Sequence, residues 1–206
     1  MAACYELRAA SDPSGKLLGI YTEPHPLESA FDVYLSNDSD TEVIPFGTLR
    51  TVEDAIGFLK YMADIQNFIV GTLIYFSKSD PARAAPVSKK TFDVYWEHPT
   101  NRKDRGGRLM TSFDTTKSDT IDIVTNLYFE MFGTMFSTPA VTAITFKICK
   151  GNRLRYSVWM RNKEDTDSIV TLGQYLAAEH GGLTIFEFQD HSEKFNVYRH
   201  VFKVAK

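Results

Sequence analysis

The sequence predicts an α+β domain: one curved, mostly antiparallel β-sheet of about eight strands, with three α-helices packed on one face. Three observations point there. Short runs rich in β-branched and aromatic residues outnumber the helical stretches. Three longer stretches repeat apolar residues at helical spacing and separate those runs. Lys150-Gly151-Asn152 joins two adjacent strand-like runs as a tight hairpin. A length of 206 residues with 43% hydrophobic residues supports one sizeable core, not two.

Residues 1–21 read as a flexible N-terminal arm, because Asp12-Pro13-Ser14-Gly15 breaks any helix there, and 22–206 read as a single domain. Strands are expected at 30–35 and 43–49. The first helix then opens at Thr51-Val52-Glu53-Asp54, a capping box, and carries Ala55, Ile56, Leu59 and Met62 at helical spacing. A strand at 70–76 leads to a polar loop, 77–90, punctuated by Pro81 and Pro86. Further strands are expected at 91–96 and 108–113. The second helix, 119–136, sets Ile121, Val124, Tyr128, Met131 and Phe132 on one broad face. Strands at 141–149 and 153–160 flank the hairpin. The third helix, 167–180, turns Ile169, Leu172 and Leu176 inward and stops at Gly181-Gly182. Strands at 184–188 and 197–204 close the chain, which shows no internal repeat.

Composition excludes several classes of function. With 23 basic against 26 acidic residues, no general attraction to a nucleic-acid backbone is expected, so DNA is not a partner and any RNA must enter a local pocket. Two cysteines, Cys4 and Cys149, make no disulfide framework. The longest apolar run, 68–76, is far below the ~20 residues that span a bilayer, and the N-terminus carries no signal-like segment. The expected location is the cytoplasm. The five histidines show no metal-ligand spacing, no glycine-rich phosphate loop precedes a helix, and no nucleophile–base pair is legible. An enzyme, a metal and a cofactor are therefore not expected.

Trp96 and Trp159 are the only tryptophans, each at the end of a predicted strand. Trp96 is followed by Glu97 and then His98-Pro99, where the proline forces an extended loop. An indole face attracts a cationic ring, and a neighbouring carboxylate accepts two hydrogen bonds from adjacent ring N–H and amino donors. Guanine methylated at its seventh nitrogen offers both the charge and the donors. Taken alone, the dipeptide more often marks a core or rim aromatic beside a solvated loop acid. A second constellation lies between Lys147 and Arg155: Lys147, Lys150, Arg153 and Arg155, with no acid among them. Arg153, Arg155, Ser157 and Trp159 alternate and so share one strand face. A phosphate chain on a base held at the aromatic would run along these cations. A third cluster, from Arg102 to Arg108, follows the Trp-Glu pair. Solvated hairpin surface is the plain alternative for both clusters.

In this order the landmarks resemble the translation initiation factor 4E family of messenger-RNA cap-binding proteins, from about Pro24 onward. They are His25-Pro26-Leu27, Thr51-Val52-Glu53-Asp54, Trp96-Glu97, Arg105-Gly106-Gly107-Arg108, Gly133 with Phe136, Lys150-Gly151, Val158-Trp159, Gly173, and Gln189 with His191. The resemblance implies a cupped sheet holding the 7-methylguanosine cap, without turnover. Trp96 would stack on the base, Glu97 bind its edge and Trp159 pack against the methyl group. Arg155 and Lys147 would contact the phosphates, and Arg108 would support the site electrostatically. Lys150 and Arg153 are further candidates on a hairpin longer than the family's. On the convex back, His25, Pro26, Val52, Ile56 and Phe129 would dock a helical peptide from a scaffold initiation factor of the 4G type, or from a rewired partner. A cap-binding repressor or storage factor, and an interaction module without strong cap binding, are the alternative roles.

Two departures qualify the resemblance. The family's second stacking tryptophan belongs in the first hairpin loop, but Ser36-Asn37-Asp38-Ser39-Asp40-Thr41 is shorter and has no aromatic, leaving Tyr34 or Phe46 as substitutes. On the back, Ile56 stands where the family has tryptophan, and Thr125 and Asn126 stand where apolar and acidic residues are usual.

Overall fold

The computed structural model of the chain describes residues 24–37, 43–62, 68–79, 106–117, 119–180, 185–191 and 198–202. The expected arm at 1–21 and the expected strand at 91–96 lie outside these residues. Eight strands are described: β1 (Pro26–Asn37), β2 (Val43–Thr51), β3 (Thr72–Lys78), β4 (Gly107–Asp114), β5 (Val141–Cys149), β6 (Arg153–Met160), β7 (Phe186–Asp190) and β8 (Tyr198–Phe202). They form one sheet in the order β2-β1-β3-β5-β6-β4-β7-β8, and every pairing is antiparallel. Register shifts interrupt the β1–β2, β5–β6 and β7–β8 ladders, and such bulges bend and twist a sheet.

Alternation along each strand separates the two faces. Phe31 and Val33 of β1, Ile74 and Phe76 of β3, Ile144 and Phe146 of β5, and Leu154, Tyr156 and Val158 of β6 enter one large core cluster. That cluster takes in Ala55, Phe58 and Met62 of α1 (Val52–Met62), Ile123 and Leu127 of α2 (Thr120–Glu130), and Ile169 and Leu172 of α3 (Thr166–His180). All three helices therefore cover one face. The residues between, Tyr34, Tyr75, Ala143 and Trp159, gather with Val43 in a smaller cluster that contains no helical residue. This opposite face is the open face of the sheet.

The helix ends follow from local chemistry. Thr51 Oγ1 accepts the Asp54 N–H at 3.1 Å, and Asp54 Oδ2 accepts the N–H groups of Thr51 (3.1 Å) and Arg50 (2.9 Å), so the expected capping box forms. α3 begins slightly before the expected 167, because Asp165 Oδ1 accepts the Ser168 N–H at 3.2 Å and caps it. The second helix corrects the expectation of a regular helix to 136. It stays α-helical only to Glu130, then widens into a π-helical turn over Met131–Met135, where the Phe136 N–H reaches the Met131 carbonyl at 3.2 Å. Four-residue steps on an α-helix overshoot a full turn by about 40°. The wider turn takes up this drift, and Met131, Met135 and Phe136 all stay buried.

Specific ties fix the helices to one another. The Tyr128 hydroxyl donates to the Ala55 carbonyl at 2.8 Å, joining α2 to α1. Burial pushes that phenol's pKa well above its ordinary value, so it stays protonated as a donor. His180 Nε2 meets both carboxylate oxygens of Glu130 at 3.0 Å, joining the ends of α3 and α2. Two glycines are required by close approach: a Cβ on Gly107 would overlap the Phe188 ring, and one on Gly173 would overlap Phe202.

Candidate ligand-binding face

Strand register places Arg108, Lys147, Arg153 and Arg155 together with Trp159 on the open face. Ala143, Trp159, Arg108 and Gln189 lie side by side across β5, β6, β4 and β7. The next row is Tyr34, Tyr75, Thr145, Ser157, Met110 and Glu187. Beyond it run Leu73, Lys147, Arg155 and Ser112, then Cys149, Arg153 and Asp114. Lys147, Arg155 and Arg153 thus lie toward one side of the face, while Arg108 sits beside Trp159 and Gln189 at the other.

Trp159 is held on several sides. Its indole N–H donates to Thr145 Oγ1 at 3.1 Å. The Arg108 guanidinium carbon lies 5.1 Å from its ring centroid, within cation–π reach. Arg108 is in turn gripped by Gln189, whose Oε1 accepts Nε–H at 2.9 Å and Nη2–H at 2.7 Å. The His191 ring stands 5.1 Å from the indole at 55°. Trp159 is only 4% exposed, so it forms a wall of the site, and Arg108 rather than bare indole covers one of its faces.

Lys147 and Arg155 are half-buried neighbours on adjacent strands. Arg155 Nε is buried without a hydrogen-bond partner among the described residues, a donor whose desolvation an incoming acceptor would offset. Arg153 is exposed, donates weakly to the Ser112 carbonyl at 3.5 Å, and lies opposite Asp114 in register. The Thr116 hydroxyl and N–H hold the Asp114 carboxyl below its ordinary pKa, with smaller help from Lys117 and Arg153. Arg153 is therefore partly answered by a fixed anion, whereas Lys147 and Arg155 lie deeper. Lys150 is exposed at the hairpin tip, where Gly151 and Asn152 both have positive φ (73° and 54°).

Trp96 and Glu97 lie outside the described residues, as do Arg102 and Arg105. Of the two substitutes for a second stacking ring, Phe46 is excluded. It sits at the β1–β2 bulge and packs against Phe58 (4.8 Å) and Tyr61 (5.2 Å) of α1, on the helix side. Tyr34 is on the open face but is buried against Tyr75, with centroids 5.8 Å apart.

On the helix side, Val52, Ile56 and Phe129 are exposed at 39%, 42% and 45%. His25 anchors the start of β1 to α1. Its Nδ1 lies 2.7 Å from Glu53 Oε1, its N–H donates to Glu53 Oε2 at 3.1 Å, and its carbonyl accepts the Val52 N–H at 2.8 Å. The His25 side-chain hydrogen bond is the main reason the Glu53 pKa falls to about 2.

Gln189 and His191 are landmarks in the sequence without a stated role, and Asp190 between them is not singled out by any sequence pattern. The structure gives each of the three a role. Gln189 grips Arg108, buried Asp190 meets Lys163 Nζ at 3.4 Å, and the His191 N–H donates to the Gly106 carbonyl at 3.2 Å. The available signal was alternation: Glu187 and Gln189 are polar residues on one face of an otherwise aromatic strand. Their partner was hidden because β7 pairs with β4, far away in sequence.

No protein-family model and no curated protein sequence matches the chain. Solved structures do. The complex of Ascaris suum eIF4E-3 with the m7G cap superposes with a TM-score of 0.68 at 18% identity, covering 89% of this chain and 100% of that one. The complex of C. elegans eIF4E-3 with the 4E-binding protein Mextli and a cap analog gives 0.67 at 17% identity, covering 87% and 100%. Schistosome eIF4E with m7GpppA and 4E-BP gives 0.66 at 19% identity, covering 87% and 99%. The chain has the fold of these proteins along nearly its whole described length.

Proposed function

We propose that this chain is a divergent, non-catalytic member of the translation initiation factor 4E family that binds the 7-methylguanosine cap of messenger RNA. The observation that carries this reading is the open face. Trp159, Arg108, Lys147 and Arg155 converge on the side of the sheet opposite the three described helices, in a fold shared with proteins solved bound to m7G and m7GpppA. Arg155 and Lys147 would take the phosphates, with Arg108 adding positive charge beside Trp159. Lys150 and Arg153 would reach further along a longer cap. Trp96 would stack on the base and Glu97 would accept its N–H donors. The protein would work in the cytoplasm, where a scaffold factor of the 4G type joins capped RNA to the initiation machinery.

Tryptophan fluorescence tests this directly, since only Trp96 and Trp159 emit. Titration with 7-methyl-GTP is expected to quench emission strongly, and unmethylated GTP weakly. Trp96→Ala and Glu97→Ala are expected to abolish the methyl preference, and Arg155→Ala to weaken binding in a salt-sensitive way. Equal responses to the two nucleotides would overturn the proposal. With no aromatic in the first hairpin loop, affinity is expected to fall ~1–3 kcal/mol short of a two-sided stack.

A second role, repression or storage of capped RNA, draws support from the helix side. Val52, Ile56 and Phe129 form an exposed apolar set without the large tryptophan anchor of the family pattern, and the related folds above were solved with Mextli and 4E-BP. Helix-in-groove recognition depends on a few large anchors. Ile56 in place of tryptophan favours a rewired peptide over the usual scaffold. Capture of a 4G-type peptide by the purified chain, or its absence, separates the two roles.

A further inference from the structure

We propose that Gln189 is a positioning residue that fixes the Arg108 guanidinium over Trp159, and thereby sets how strongly the site responds to a ligand's phosphate chain. This rests on the cap-binding reading above but concerns a residue to which that reading gives no part.

The geometry is specific. One buried amide oxygen accepts two hydrogen bonds from one guanidinium, at 2.9 and 2.7 Å, while the guanidinium carbon lies 5.1 Å from the indole centroid. Gln189 is 1% exposed and sits directly opposite Arg108 in the β4–β7 register. Its backbone is itself braced: Asp190 pairs with Gly107, and the His191 N–H donates to the Gly106 carbonyl. The acceptor is neutral, so it fixes the cation's direction without cancelling its charge. A carboxylate at this position would form a salt bridge and remove the field that an anionic ligand would meet. A shorter or apolar side chain would remove two of the hydrogen bonds that orient the guanidinium and widen its choice of rotamers. An oriented cation on a partly desolvated face contributes more to an anion than a mobile one does. Trp159, already covered by Arg108, is then less a stacking surface than the support for that cation.

Two variants test the assignment on the full chain: Gln189→Glu, which keeps an acceptor but adds a charge, and Gln189→Leu, which removes the acceptor. Each is titrated with 7-methylguanosine, its monophosphate and its triphosphate over a range of salt. The affinity gain from nucleoside to triphosphate is expected to shrink roughly tenfold in both variants, with nucleoside affinity little changed. In Gln189→Glu the salt dependence is expected to flatten as well. Uniform loss for all three ligands, or no loss, would refute a positioning role.

A ligand-free readout keeps the inference separate from the cap-binding reading. In a Trp96→Phe background, Trp159 is the sole emitter. Gln189→Leu is expected to shift its emission, because the cation no longer stays over the ring, while the thermal midpoint shows whether the fold is retained. Unchanged emission in a folded variant would overturn the inference even if the wild type binds capped nucleotides. Changed emission in a protein that binds none would leave the Gln189–Arg108–Trp159 arrangement standing and remove only the ligand.

Discussion

Single residues in this protein act through what they exclude as much as through what they contact. Gly107 leaves room for the Phe188 ring directly behind Arg108. Gly107→Ala forces the ring aside and is expected to cost about 1–3 kcal/mol by overpacking, read as a lower urea midpoint with an unchanged slope. Glu53 offers a pH test. Its pKa is lowered to about 2, chiefly by the His25 hydrogen bond, from a reference of 4.5. The folded state therefore favours the carboxylate. Its contribution is complete above that reference and is lost as pH falls toward 2. The protection factor of the Val52 amide, whose N–H bonds to the His25 carbonyl, is expected to fall across that window relative to the intrinsic exchange rate, and Glu53→Gln to remove that change. At this scale the sequence was legible where chemistry is local. Arg155 and Trp159 share a face because of strand alternation, whereas the Gln189 grip on Arg108 depends on a strand pairing that no local pattern encodes.

Secondary-structure elements were legible in proportion to how local their determinants are. The capping box at Thr51 and Asp54 and the hairpin at Lys150-Gly151-Asn152 both depend on residues within a few positions. Thr51→Ala is expected to cost about 1 kcal/mol, measurable as a thermal shift. The π-helical turn at Met131–Met135 was not legible, because helical spacing looks continuous through Phe136 and only packing against the sheet selects the wider turn. The tie between α1 and α2 was equally hidden. Tyr128→Phe removes the hydroxyl that bonds to the Ala55 carbonyl and is expected to destabilise the chain by roughly 0.5–1.5 kcal/mol, with retained secondary structure by circular dichroism.

Across the whole molecule, the sheet divides two surfaces that can be tested apart. Ile56→Glu and Phe129→Ala alter only the helix side, and both residues are exposed, so the fold is expected to tolerate them. Loss of partner-peptide capture with unchanged quenching by 7-methyl-GTP would show that the two surfaces work independently. Arg155→Ala is expected to do the reverse. The layered α+β architecture was legible because alternation and helical periodicity recur along the chain. The strand order was not, since β4 is flanked by β6 and β7, two strands that come later in sequence.

That strand order has a consequence for synthesis. As the chain leaves the ribosome, β4 emerges before either of its neighbours and waits with both edges open. β6 can close one edge early, but the other, with the notch at Gly107, stays open until β7 has been translated. Arg108 has no amide to steer it during that interval. A nascent chain paused short of β7 can therefore hold most of its helices and strands and still lack the Gln189 grip on Arg108, so the orientation of that cation is among the last features this polypeptide acquires.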